Sequence, residues 1–194
     1  MASGVCVRRW APDAWGEAAI LGCGEQGRYH ARVLSALNPE VRIRAYDPHP
    51  ERVAELEGRV EPAADASQAV EGADIVVSAG PIVEDPDPPI EPAWLGSRWL
   101  GLPIDFDFYF SAEAVASADR FLVDDVEQFE YYRSLGHFQS WPAPEASVGE
   151  ALADGGSPAR VLCCNLGVGA LDAAFAARVL AAAEEQGIGT ELNL

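Results

Sequence analysis

The sequence predicts an α/β fold, a Rossmann-type doubly wound, mostly parallel sheet with a C-terminal helix, and two observations carry that prediction. Short apolar runs alternate with helix-period segments from Ala18 onward, as in successive βαβ units. A glycine-rich turn, Gly22-Cys23-Gly24-Glu25-Gln26-Gly27, joins the first apolar run to the first helical segment.

Taken in order, Ala18-Ala19-Ile20-Leu21 reads as a buried first strand, and Gln26 to Leu37 as a helix with Val33 and Leu34 inward, stopped by Asn38-Pro39. Val41 to Tyr46 is the second strand. Pro50 opens a helix to Leu56, Val60 begins a short edge strand, and Asp74 to Ser78 is a further strand. Five prolines (Pro81, Pro86, Pro88, Pro89 and Pro92) and four acids make Gly80 to Pro92 a loop. Trp99 to Ile104 and Arg120 to Val123 read as strands, each followed by a helix, at Ala112 to Ala118 and Val126 to Leu135. Val161 to Cys164 is the last buried strand, with Cys163 and Cys164 on opposite faces. An alanine-rich helix follows from Ala170 to Gln186, where Leu171, Phe175 and Val179 form one apolar stripe. The nucleotide-binding domain therefore runs from Glu17 to Asn165, with residues 166–194 as helix and tail.

Composition narrows the chemistry. The 194 residues carry 31 acidic against 13 basic side chains, a formal charge of −18, and every basic residue is an arginine. Without lysine, a phosphate-gripping Walker lysine and any Schiff-base lysine are excluded within this chain. So acidic a surface repels nucleic-acid phosphates and anionic lipid, so neither is expected as a partner. Arg8-Arg9 leads into Pro12, Asp13 and Glu17 rather than a signal-peptide core, and nothing reaches the ~18 apolar residues of a membrane span. The four cysteines (Cys6, Cys23, Cys163, Cys164) lack C-x-x-C spacing, which suits reduced thiols in the cytoplasm. His30, His49 and His137 have no ligand-like spacing, so no metal site is expected, and His30 reads as a surface or internally satisfied residue.

The glycine turn has the strand–turn–helix setting that dinucleotide binding requires. Gly22 allows the tight turn, Gly24 the approach of backbone to pyrophosphate, and Gly27 the packing of helix on sheet. The helix start then offers free N–H groups and a positive dipole end to the phosphates. Asp47 stands 20 residues after Gly27, at the end of the second strand, where it meets the adenine-ribose hydroxyls. That favours NAD over NADP, although His49 or Arg52 could offset the repulsion of a 2′-phosphate. Asp47 is equally suited to cap the helix that Pro50 opens.

The chain also resembles the ornithine cyclodeaminase and mu-crystallin family. The resemblance runs through Leu21-Gly22-Cys23-Gly24-Glu25-Gln26-Gly27-Arg28, Ala73 to Val77, Phe121-Leu122-Val123-Asp124-Asp125 with Gln128, Asn165-Leu166-Gly167 to Asp172, and Gly187 to Glu191. It implies NAD(P)-dependent hydride transfer at a carbon bearing an amino or imino nitrogen, with a small amino or imino acid as substrate. The family's catalytic aspartate aligns best with Asp105 in Leu102-Pro103-Ile104-Asp105, the candidate general acid/base. Asp107, two residues on, faces the same side in an extended backbone while Phe106 faces the other, unless either carboxylate caps the helix near Ser111 or faces solvent. Ser78, Ala79, Gly80 and Asn165 join the glycine turn and Asp47 as expected cofactor contacts.

The resemblance further implies that Met1 to Gly16 is only the short helix preceding the nucleotide-binding domain. It implies as well that the family's N-terminal region, which builds the substrate pocket and dimer interface, is expected to lack a counterpart in these residues. Two readings follow. One is an oxidoreductase whose substrate half arrives on another polypeptide or was lost through a misplaced start; the other is a non-catalytic NAD(H)-binding module. A homo-oligomer, or a separate chain supplying the substrate half, is the expected partner.

Overall fold

The structure is a computed structural model describing residues 2–154, 156, 158–190 and 192. Its eight strands form one parallel sheet in the order β3-β2-β1-β4-β5-β8-β6-β7. These strands are β1 (Glu17–Leu21), β2 (Arg42–Tyr46), β3 (Val60–Pro62), β4 (Ile75–Ser78), β5 (Trp99–Pro103), β6 (Arg120–Val123), β7 (Ala146–Ser147) and β8 (Arg160–Cys164). The helices are α1 (Ala2–Trp10), α2 (Glu25–Leu37), α3 (Pro50–Val53), α4 (Ala66–Val70), α5 (Ala112–Ala116), α6 (Val126–Ser134), α7 (Val148–Ala151) and α8 (Gly169–Gln186).

The chain winds from β1 outward through β2 to β3, then returns to the other side of β1 as β4. This reversal leaves a crevice beyond the carboxyl ends of β1 and β4, where doubly wound sheets bind ligands. A second reordering inserts β8 between β5 and β6, so Asn165 emerges beside Asp105 and Asp124.

Central strands are buried on both faces. β4 and β5 have no exposed residue, which is why they read as unbroken apolar runs. One layer of core packs α1 and α2 on the sheet through Cys6, Val7, Trp10, Ala31, Leu34 and Cys163. The other, rich in aromatics, gathers Trp99, Phe110, Phe129, Phe138, Trp141 and Cys164. The paired cysteines thus split between the two layers, as strand alternation requires. Helix α1 belongs to the core of the domain expected to begin at Glu17.

The helix beginning at Pro50 ends at Val53, short of the expected Leu56. Two helices that the sequence reading lacked, α4 and α7, are short and side-chain capped: Asp65 accepts from the Gln68 amide, and Ser147 forms a reciprocal capping box with Glu150. Helix α8 stands apart, with no buried residue, and Leu171, Phe175, Val179 and Leu180 are between 47% and 69% exposed. Among the described residues no helix is long and apolar enough to cross a membrane.

Candidate cofactor-binding and active site

The glycine turn is built by sterics that differ at each glycine. Gly22 sits at φ +87°, and a Cβ there would fall 2.3 Å from the Ala79 carbonyl oxygen; at Gly27 it would fall 2.2 Å from the Gly22 carbonyl oxygen. Both positions need glycine for the fold itself. Gly24 is different. It is the N-cap of α2, has no side-chain cap, and a Cβ there meets nothing within 4 Å. The open space lies over the uncapped first turn of a 13-residue helix, as an incoming pyrophosphate needs.

Asp47 is buried at the end of β2, where one carboxylate oxygen accepts the Cys23 N–H at 2.8 Å and the other accepts the His49 N–H at 2.8 Å. The Arg52 guanidinium stands 3.8 Å away. The carboxylate therefore ties the glycine turn to the β2–α3 turn and retains acceptor capacity, since each ionised oxygen has two lone pairs. It borders a cavity of about 360 Å³ together with Gly22, Gly24, Arg52, Ala79, Gly80 and Tyr109. The Cys23 thiol is buried and pushed up to about 12, by burial first and then by the neighbouring Asp47 charge, so it stays a neutral packing group.

A second cavity of about 600 Å³ opens on the other side of Gly80, lined by Gln26, His30, Phe106, Asp124 and Asn165 and walled by Leu171 and Phe175 of α8. Gly80 borders both cavities. The two cavities together flank the glycine turn.

Asp105 lies against Gly80 and is 2% exposed. Its oxygens accept the Ser78 hydroxyl at 2.6 Å and the Gly80 N–H at 2.9 Å. Burial pushes its pKa up to about 6; the two hydrogen bonds oppose that shift and the nearby Asp107 charge adds to it. Ser78 and Gly80, expected as cofactor contacts, are thus also the residues that fix Asp105.

Asp107 departs from expectation. Phe106 adopts φ +63°, so the backbone turns instead of continuing extended, and the alternation argument that put both carboxylates on one side fails. One Asp107 oxygen accepts the Phe138 N–H at 2.7 Å, and the other lies 3.9 Å from His137 Nδ1. Asp107 anchors the loop after α6.

Asn165 heads a buried hydrogen-bond chain absent from the sequence reading. The Gln26 carbonyl can only accept, so His30 Nδ1 donates to it at 2.7 Å and Nε2 accepts from the Ser3 hydroxyl at 2.8 Å. Ser3 Oγ in turn accepts from Asn165 Nδ2 at 3.4 Å, and the Cys6 thiol approaches Asn165 Oδ1 at 4.0 Å. His30 is buried and satisfied, and burial lowers its pKa, which keeps the imidazole neutral and able to play both parts. Nearby, Asp124 accepts the Leu166 and Gly167 amides at 3.0 and 2.6 Å, and Gln128 Nε2 donates to the Gly167 carbonyl at 3.1 Å. These contacts bring the Phe121–Asp125 and Asn165–Gly167 segments of the family resemblance together at one end of the cleft.

The ornithine cyclodeaminase/mu-crystallin family model matches residues 1–97. The chain belongs to that family. The nodulation efficiency protein NfeD of Rhizobium meliloti is 27% identical over 202 residues, covering 97% of this chain and 62% of that protein. Among solved structures, CmnK superposes on all of this chain and 62% of its own with a TM-score of 0.85 at 23% identity. The iminosuccinate reductase of Paracoccus denitrificans, solved with NAD+, gives a TM-score of 0.77 at 21% identity, covering 100% of this chain and 64% of that one. At these identities the likeness is one of fold. The chain spans less than two thirds of the length of each of these relatives.

Proposed function

We propose that this chain is the nicotinamide-dinucleotide-binding half of an oxidoreductase that acts on a small amino or imino acid, and that the substrate half comes from a further polypeptide segment. The observation that supports this best is the cleft itself. An open glycine N-cap and Gly80 border one cavity, Gly80 also borders the second, and the Gly80 N–H donates to a buried aspartic acid whose pKa burial pushes up to about 6. A bound nicotinamide supplies or accepts hydride at the carbon bearing nitrogen. Asp105, protonated below about pH 6, would return or accept the accompanying proton at nitrogen. A cytosolic location fits the four free, buried thiols.

The alternative is a module that binds NAD(H) without chemistry. It is favoured by one observation: both Asp105 oxygens are already engaged by Ser78 and Gly80. Adding the N-terminal portion of a full-length family reductase in trans and following NADH oxidation with an imino acid separates the two. Turnover above either part alone supports the enzyme, and its absence despite tight NADH binding supports the module.

Cofactor choice rests on Asp47. A 2′-phosphate placed beside this buried carboxylate meets like charge that the half-exposed Arg52 only partly offsets. NADH is expected to bind at least about tenfold more tightly than NADPH. Titration calorimetry with both checks it, and equal or tighter NADPH binding overturns the preference.

The partner reading rests on α8. Covering a large apolar side chain stabilises by ~1.5–3 kcal/mol, and four of them stand exposed along this helix. Pairing of α8 with a second chain, either another copy or the polypeptide bearing the substrate half, covers that stripe. The purified chain is expected to self-associate with rising concentration in light scattering, and Phe175→Asp to shift it toward monomer with its fold unchanged. A wild-type monomer persisting at high concentration overturns self-pairing.

A further inference from the structure

The segment after Asp105 holds an aromatic pair that none of the expected site residues includes. The left-handed turn at Phe106 and the anchoring of Asp107 on the Phe138 amide send Phe108 and Tyr109 back toward the glycine turn. The Ile90 N–H holds them there by donating to the Tyr109 carbonyl at 2.9 Å, beside a strand-like bridge between Ile90 and Phe110. The two rings meet edge to face with centroids 5.0 Å apart. They lie so close on Gly80 that a Cβ there would fall 2.6 Å from Phe108 Cδ1 and 2.9 Å from Tyr109 Cε2.

Tyr109 is 5% exposed overall; its hydroxyl is not sealed from solvent and makes no hydrogen bond with any described residue. The side chain lines the cavity of about 360 Å³ that holds Gly22, Gly24 and Asp47. An O–H donor at the wall of this cavity, with no partner in the protein, can bond a ligand that enters there. Burial and the charges of Asp105 and Asp47 raise its pKa, so it is an O–H donor across the physiological range. The partner must therefore accept from Tyr109 in a space where Asp47 only accepts. A phosphate suits the first demand, but the pyrophosphate is already placed over the first turn of α2, and a further phosphate beside Asp47 meets like charge. A hydroxyl suits both, since it accepts from the phenol while donating to the carboxylate. A vicinal diol can span the two.

We propose that Tyr109 donates a hydrogen bond to the adenosine-ribose diol of the bound dinucleotide while that diol donates to Asp47, which makes Tyr109 a specificity-determining residue for an unmodified ribose. The inference rests on the dinucleotide reading above and adds a residue and a ligand group to it.

The test uses the whole chain, with Tyr109→Phe, which keeps the ring that packs on Gly80. ADP-ribose, AMP, 2′-deoxy-AMP and 3′-deoxy-AMP are measured by displacement of NADH fluorescence. Tyr109→Phe is expected to weaken ADP-ribose and AMP by about fivefold to tenfold. Against the deoxy nucleotide lacking the contacted hydroxyl, the same substitution should change affinity less than about twofold, because that ligand has already lost the bond. The wild-type chain alone gives a second measure, since it should prefer AMP to that deoxy nucleotide by a similar factor. Equal affinities in wild type and variant, or equal losses for AMP and both deoxy nucleotides, overturn the role of the hydroxyl while leaving the cofactor reading intact. A wild-type chain that binds neither NADH nor ADP-ribose overturns both.

Discussion

Gly24→Val is expected to abolish NADH binding, a loss of more than about 100-fold, while the chain stays folded. The argument is local and steric. At φ −71° and ψ −160° the Gly24 backbone suits any L-residue, and the added carbon meets nothing of the protein within 4 Å. The only thing it can displace is whatever occupies that space, and the open first turn of α2 is where a phosphate is expected. Valine is a poorer N-cap than glycine by a modest amount, so the melting temperature should fall by no more than a few degrees. The neighbouring glycines behave oppositely. Gly22→Val combines φ +87° with a 2.3 Å approach to the Ala79 oxygen, and Gly27→Val meets the Gly22 oxygen at 2.2 Å, so both should destabilise the domain directly. Calorimetric titration of NADH and a thermal melt on all three variants check this. NADH affinity within a few-fold of wild type in Gly24→Val would remove the pyrophosphate from this turn.

The contrast among the three glycines indicates what a sequence can disclose. The turn is a local device, with strand, glycines and helix start contiguous, so its residues and spacing were readable before any coordinates. The central strands were readable too. Ile75–Ser78 and residues 161–164 are covered on both faces, and burial on both sides leaves a short apolar run. Edge elements left a fainter trace. The two residues of β7 and the four or five of α4 and α7 are too short to show a period, and their caps are ordinary Asp and Ser residues.

The candidate site divides along the same line. Asp47 was found through its distance from the glycines, and Asp105 through a family motif. Asp107 was paired with Asp105 on the assumption of extended backbone, and a bulky residue at φ +63° is something no pattern announces. Tyr109 and the Ser3–His30–Asn165 chain went unseen for a different reason. Each depends on contacts between residues distant in sequence, such as the 162 positions separating Ser3 from Asn165, and a lone histidine or tyrosine carries no mark of where it will pack.

For Asp105, the expected result is a stability difference between wild type and Asp105→Asn that depends on pH. The unfolded carboxyl titrates near ~3.9, while burial pushes the folded one up to about 6. Between those values the folded chain binds the extra proton, so wild-type stability is highest below about pH 4 with respect to this group. That contribution is lost as pH rises through about 6. A shift of ~2 units corresponds to about 3 kcal/mol at most over the window. Asp105→Asn cannot ionise and keeps both contacts, its oxygen accepting from the Gly80 N–H and its amide donating to Ser78 Oγ. Urea melts from pH 4 to 7.5 should therefore show the variant gaining on wild type by about 2–3 kcal/mol as pH rises, whatever the other carboxylates contribute in common. Curves for the two proteins that stay parallel across this range would mean that Asp105 is not held near neutrality. The same substitution should also cut turnover by roughly 10²–10⁴-fold once the substrate half is supplied, with NADH affinity within a few-fold, because only the proton is withdrawn. The two readouts separate the roles: a stability shift without a turnover loss leaves Asp105 as the buried brace of Ser78 and Gly80, and both together make it the acid.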